Sequence, residues 1–143
     1  MAFILNIETS TKNCSVSVAK DGKTIVLKEL NDGGYSHAEK LHEFIKEVIA
    51  EAGIQFSDLK AIVVAGGDGS IFEVINGIFR RKEKTEIPLG IIPVGTGNAF
   101  ARDIDLITGD WKKAVKIACE LKSRKVDIGY FNTAGEDHYF VNL

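Results

Sequence analysis

The sequence predicts an α/β fold, a three-layer sandwich in one domain over residues 1–143, and three observations lead there. Two apolar strands, at Val63–Ala65 and Leu89–Pro93, each run into a glycine-rich turn and then into a helical pattern, as parallel strands joined through helices do. Three alternating strands precede them, the second and third separated by Asp21-Gly22, a pair that tolerates the positive φ of a tight hairpin. An amphipathic helix links the two groups. The expected sheet is an antiparallel meander of strands 1–3 continuing into parallel strands 4–5, order 3-2-1-4-5, with helices on both faces and a C-terminal hairpin.

Composition narrows the function classes. The 143 residues are 45% hydrophobic and 27% charged, ordinary for a globular domain with a real core. A formal net charge of −2 offers no global attraction to nucleic acid or to an anionic membrane, and no apolar run approaches the roughly 20 residues of a bilayer span. A cytoplasmic protein with no nucleic-acid or membrane partner is expected. Met1–Leu5 reads as a strand, since it lacks a basic leader. Cys14 and Cys119 have no metal-ligand spacing and read as buried free thiols.

Strands are expected at residues 2–8, 14–20 and 24–31. In the second, Ser15, Ser17 and Ala19 alternate with Val16 and Val18, so one face is packed and the other lightly covered. Ser36 and Glu39 spell a capping box for a helix over about 37–52, with Ala38, Leu41, Phe44, Ile45, Val48, Ile49 and Ala52 on its apolar side. Gly53 ends it. Leu59–Ala65 is so nearly all apolar that a central strand covered on both faces is expected.

The stretch Val63-Val64-Ala65-Gly66-Gly67-Asp68-Gly69-Ser70 is the pivot. Gly66, Gly67 and Gly69 allow a ligand to approach the backbone amides closely. Ser70 and Glu73 spell a second capping box, which starts a helix at about residue 71 with its positive dipole end toward the turn, a place that can hold phosphate. Gly95-Thr96-Gly97-Asn98 forms a second strand-to-helix turn at the same end of the sheet, and two such turns side by side make the crevice where α/β sheets bind ligands. Structural alternatives stand beside this: Asp68 can brace the turn with its own side chain, Ser70 and Glu73 can simply cap, and Asn98 can simply start a helix.

Arg80–Lys84 reads as a solvated helix end. Asp110 or Thr108 caps a later helix carrying Trp111, Ala114, Val115, Ala118 and Leu121, and residues 124–131 and 138–142 form the closing hairpin around 132–137. His37 and His42 are five apart, a poor metal spacing, and His138 falls on a strand.

Two resemblances follow from these motifs. Gly66-Gly67-Asp68-Gly69-Ser70, Glu73-Val74-Ile75-Asn76-Gly77, Pro93-Val94-Gly95-Thr96-Gly97-Asn98 and Phe100-Ala101-Arg102 resemble, in order, the catalytic domain of diacylglycerol/sphingosine lipid kinases, with Ser70 where threonine is usual. That resemblance implies an ATP site at Gly66, Gly67, Asp68, Gly69, Ser70, Thr96, Gly97 and Asn98, with Asp68 assisting Mg2+ or the reaction. It also implies a second, β-rich domain carrying the lipid pocket, which would begin where this sequence stops at Val141-Asn142-Leu143. Leu5–Thr11, Cys14–Val18 and Ser36–Leu41, by contrast, resemble the TsaB family, scaffold subunits in making threonylcarbamoyladenosine in tRNA. The two meet within the strand 59–66, so that residues 1–62 read as one half and 63–143 as the other.

The expectation drawn from this is an engineered chimera with no evolved activity as a unit, retaining at most weak phosphate binding and having no evolved partner. The alternatives are an ATP-binding lipid kinase or a fragment of one, and a TsaB-like scaffold. Self-association is expected, if at all, through helix 37–52 or by exchange of the C-terminal hairpin.

Overall fold

The computed structural model describes residues 1–31, 37–83, 86–106 and 108–141, the first three of the second stretch through their backbone alone. The expected cap at Ser36 and Glu39, the side chain of His37, and Lys84 and Asn142 lie outside the described residues. By its internal contacts the chain divides into two compact units, Met1–Ala65 with Glu86–Gly90, and Gly66–Thr85 with Ile91–Leu143.

In the first unit, β1 (Phe3–Glu8), β2 (Cys14–Lys20) and β3 (Lys23–Leu30) form the antiparallel meander, with Phe3 opposite Lys20 and Glu8 opposite Ser15. Asp21 and Gly22 turn with φ of 48° and 81°, the double positive φ that suits a two-residue hairpin to strand twist. Asp21 also holds the start of β1: its Oδ1 accepts from Ala2 N at 2.8 Å, and its own N–H donates to Ala2 O at 3.0 Å.

Helix α1 (His37–Glu51) packs on β2 and β3 and buries Leu41, Val48 and Ile49. Lys28 of β3 ties it down from below through Glu51 at 2.5 Å and Glu47 at 3.7 Å. Its end is a Schellman motif: Ile54 N donates to Ile49 O, Gly53 N donates to Ala50 O, and Gly53 takes φ 67°. A 3-10 turn at Phe56–Asp58 then leads into β4 (Leu59–Gly66), parallel to β1, with Leu5 opposite Ile62 and Ile7 opposite Val64.

The expectation of a β4 covered on both faces is corrected. Leu59, Ile62, Val64 and Gly66 are buried, while Ala61, Val63 and Ala65 are half-buried and Lys60 is exposed. The same alternation runs through the neighbouring strands, where Leu5, Ile7, Val16 and Val18 are buried and Asn6, Ser15 and Ser17 are half-buried. Small side chains on the second face look apolar in sequence yet cover little. The full sheet order, β3-β2-β1-β4-β5, with β5 (Leu89–Pro93) parallel to β4, is the one the sequence predicts.

The second unit holds α2 (Asp68–Phe79), α3 (Ala99–Asp103), α4 (Trp111–Cys119) and the hairpin β6 (Gly129–Thr133) with β7 (Glu136–Phe140). Ile71, Val74 and Ile75 of α2 are buried as the stripe requires. Three expectations are corrected here. The stripe on α4 buries Ala114, but Trp111, the helix's first residue, and Leu121, past its end at positive φ, are 53% and 78% exposed. The hairpin turns on Ala134-Gly135 alone, φ 51° and 81°, so its strands extend into the expected loop, and residues 124–128 are not strand. Cys119 is exposed; Cys14 is buried, and burial, aided by the charge of Glu8, pushes its thiol above the ordinary range.

Candidate functional site: two interlocked glycine turns

Gly66 closes β4, Gly67 caps α2 in an extended conformation, and Asp68 is already helical. The helix therefore begins three residues before the sequence places it. Ser70 lies in its first turn and cannot serve as its N-cap, so the Ser70/Glu73 capping box is corrected; the N-cap is Gly67, which makes no side-chain cap bond. The early start leaves the first-turn amides, those of Asp68 and Gly69 among them, without intrahelical acceptors at the positive end of the dipole.

The second turn folds on itself through Asn98. That residue is buried and left-handed, φ 52° and ψ 38°. Its Oδ1 accepts from Gly95 N at 3.1 Å and its Nδ2 donates to Gly95 O at 2.5 Å. Asparagine tolerates this backbone better than other residues with a side chain, and its amide satisfies both polar groups of the turn. Arg102 Nη1 donates to Gly97 O and fixes the next peptide.

Asp68 joins the two turns. Its Oδ2 accepts from Ala99 N at 2.9 Å and its Oδ1 from Phe100 N at 3.0 Å, so a residue 31 positions away caps α3, whose own N-cap residue uses its side chain elsewhere. The backbones meet directly: a Cβ built on Gly95 would lie 2.3 Å from Gly67 Cα, and one on Gly97 would lie 2.9 Å from Asp68 Oδ2. Around Gly69, in contrast, there is open space.

The structure thus brings Gly67, Asp68, Gly97 and Asn98 into one cluster, with Gly66 at its root and Ser70 in the adjoining helical turn. Gly69 and Thr96 are exposed beside it. Two residues gain a part that the sequence reading did not give them, Gly95 within the cluster and Asn76 behind it. Gly95 was legible as part of the motif, but only its contact with Gly67 shows why it must be glycine. Asn76, buried on α2, bonds to Tyr139 of β7, and no sequence signal links residues so far apart.

The remaining candidates sit elsewhere. His42 is exposed, and His138 stacks on Phe131 with Nδ1 3.3 Å from Arg80 Nη2. No group of three His, Cys, Asp or Glu side chains suited to a metal occurs among the described residues. The solvated helix end expected at Arg80–Lys84 is corrected in part: Arg80 Nε donates to Asp137 O at 2.9 Å, and the Arg81 side chain is 16% exposed and pairs with Glu83.

Residues 9–131 match the model of the diacylglycerol kinase catalytic domain. The chain belongs to the diacylglycerol kinase catalytic domain family. That match spans the residues at which the two sequence resemblances meet, and it takes in most of the portion read as TsaB-like. Among relatives, a diacylglycerol kinase of Staphylococcus carnosus is 45% identical over 86 residues, 60% of this chain and 26% of that protein. One from Staphylococcus saprophyticus is 35% identical over 119 residues, 82% of this chain and 37% of its own length. One from Staphylococcus aureus is 35% identical over 130 residues, 85% and 39%. The chain therefore spans between about a quarter and two fifths of the curated diacylglycerol kinases it matches.

Among solved structures, YeaZ from Pseudomonas aeruginosa covers 65% of this chain and 44% of its own, at TM-score 0.48 and 22% identity. An uncharacterized protein with similarity to peptidase YEAZ from the same organism covers 97% and 63%, at 0.49 and 18%. Likeness at this level does not bear on function. No described helix is long and apolar enough to cross a membrane.

Proposed function

We propose that the chain is the ATP-phosphate-binding part of a diacylglycerol kinase. The observation that carries this is the lock between the two turns, in which Gly67 and Gly95 touch backbone to backbone and Asp68 caps α3. The lock fixes the first-turn amides of α2 beside the open space at Gly69, and preorganised donors of this kind are what phosphoryl transfer demands of a protein. ATP supplies the phosphoryl group, and Mg2+ the neutralisation of its charge.

The residues fit those two groups in different ways. Gly69 leaves room where a phosphate would lie against the backbone, while Gly67, Gly95 and Gly97 are taken up by the lock itself. Asp68, with both oxygens accepting amides, keeps only its remaining lone pairs for Mg2+, consistent with an ion that takes one or two carboxylates and completes its shell with phosphate and water. Thr96, exposed at the second turn, has a hydroxyl available to a ligand there. The acceptor is the hydroxyl of a diacylglycerol, as the relatives' names indicate, and the working compartment is the cytoplasm, where ATP is available.

Calorimetric titration of the 143-residue chain with MgATP tests the reading. Micromolar binding that Gly67→Val or Asp68→Ala abolishes supports it, and no heat at millimolar nucleotide sinks it.

A second reading is favoured by one observation. One boundary between the two compact units falls at Ala65/Gly66, although Glu86–Gly90 of the kinase-like half groups with the first unit; that boundary lies within the strand where the TsaB-like and kinase-like resemblances meet, as expected of two halves joined along β4 with no evolved activity as a unit. Proteolysis discriminates: two halves that unfold in separate steps support the joined chain, and one cooperative step supports the kinase. Self-association through α1 or by hairpin exchange is a further expectation, tested by light scattering across concentration.

A further inference from the structure

We infer that Asn76 is a positioning residue that makes the β6–β7 hairpin and the glycine turn shift as one piece, an inference that rests on the nucleotide reading of that turn. Asn76 is 5% exposed. Its Nδ2 donates to Phe72 O at 2.9 Å and to Tyr139 O at 2.8 Å, while its Oδ1 accepts from Tyr139 N at 2.9 Å. A primary amide that gives a bond to a strand residue's carbonyl and takes one from the same residue's N–H offers what a neighbouring strand would offer. The side chain thereby closes the outer edge of β7 at Tyr139.

Arg80, one helical turn on, continues the seal. Its Nε donates to Asp137 O at 2.9 Å, two residues along the strand and therefore on the same edge. The Phe79 ring lies between these anchors in sequence, its centroid 5.0 Å from that of Tyr139. Positions 76, 79 and 80 are spaced i, i+3, i+4 and share one helix face. Asn76 and Phe79 lie in α2 and Arg80 is its C-cap; the helix starts at Asp68, so one rigid rod of about 18 Å, at 1.5 Å per residue, carries the glycine turn at one end and the hairpin at the other. Whatever displaces one end displaces the other, and the coupling is reciprocal.

Amide exchange measured by NMR and MgATP titration on the full chain test this together. Asn76→Asp keeps the size, removes both donors and turns a carboxylate toward two carbonyls. Exchange at Tyr139 N–H accelerates about tenfold or more, and the MgATP Kd weakens about fivefold or more, in the range typical of coupled sites. Saturating MgATP slows exchange at Tyr139 in the unaltered protein. Should Asn76→Asp unfold, Arg80→Gln at an exposed position gives both shifts in smaller measure. Fast exchange at Tyr139 with an unchanged Kd reduces Asn76 to a structural role and overturns the inference, as does unchanged exchange in both variants. If the unaltered chain takes no MgATP, the nucleotide reading falls and this inference with it. If the unaltered chain binds and the variants bind equally, this inference alone falls.

Discussion

Gly95 and Gly67 are in contact through their backbones, so closely that a Cβ on Gly95 would stand 2.3 Å from Gly67 Cα and 2.7 Å from Gly67 N. Neither turn could hold its shape with a methyl group there. Gly95→Ala must push the turns apart and is expected to lower stability by about 2 kcal/mol, as overpacking does. Gly67→Ala, whose Cβ would meet Gly95 Cα at 3.3 Å, costs less. Urea unfolding of the two variants checks the order.

Gly69 separates folding from binding. It lies inside α2 with nothing within 4 Å of its would-be Cβ, so Gly69→Ala should stabilise the helix by up to about 1 kcal/mol. On the phosphate reading the same methyl occupies the approach to the amides, and MgATP affinity falls. A rise in Tm with unchanged affinity would remove Gly69 from the site.

Asp68 acts as a cap supplied from outside the helix it caps. Asp68→Asn retains one acceptor but turns an NH2 group toward an N–H, and a loss of about 1–2 kcal/mol is expected, as for other caps and charged acceptors. Exchange at Ala99 and Phe100 amides should accelerate ahead of the rest. Equal acceleration throughout would contradict a local role.

Asp110 settles what the sequence left open at α4: its Oδ1 accepts from Lys113 N at 3.0 Å. Asp110→Ala is expected to cost about 1 kcal/mol, and Thr108→Ala to stay within about 0.5 kcal/mol. Thermal unfolding measures both.

The hairpin carries its own pH window. Asn132 Nδ2 and Tyr130 Oη both donate to Asp137 Oδ1 at 2.9 Å, which holds the Asp137 carboxyl below its ordinary range and the Tyr130 phenol above its own. A lowered carboxyl stabilises above its unfolded pKa and loses that contribution as pH falls through the folded value. A raised phenol stabilises below its unfolded pKa and loses it as pH rises through the folded value. The hairpin is therefore tightest between these limits. Tyr130→Phe should move the Asp137 carboxyl titration upward by NMR; an unmoved midpoint would refute the bond.

Much of the fold was legible because its signals are local. The Asp21-Gly22 turn between β2 and β3, the serine and valine alternation of β2 and the Gly53 helix stop are each readable within a few residues. Local signals also misled. Ser70 and Glu73 have the spelling of a capping box, yet the contact of Gly67 with Gly95 and the reach of Asp68 to α3 start the helix three residues sooner, and tertiary contacts outweigh a cap.

The amino-acid sequence alone determined where glycine, aspartate and asparagine stand at the two turns, and hence the resemblance to the lipid kinases there, because those residue types answer to backbone geometry within a single turn. Only the tertiary structure decided that Asp68 caps a distant helix, that Asn76 serves as a strand's neighbour and that one face of β4 is lightly covered. Each of these depends on groups far apart in the chain coming within hydrogen-bond or van der Waals range, and such distances are set by packing, which no local pattern encodes.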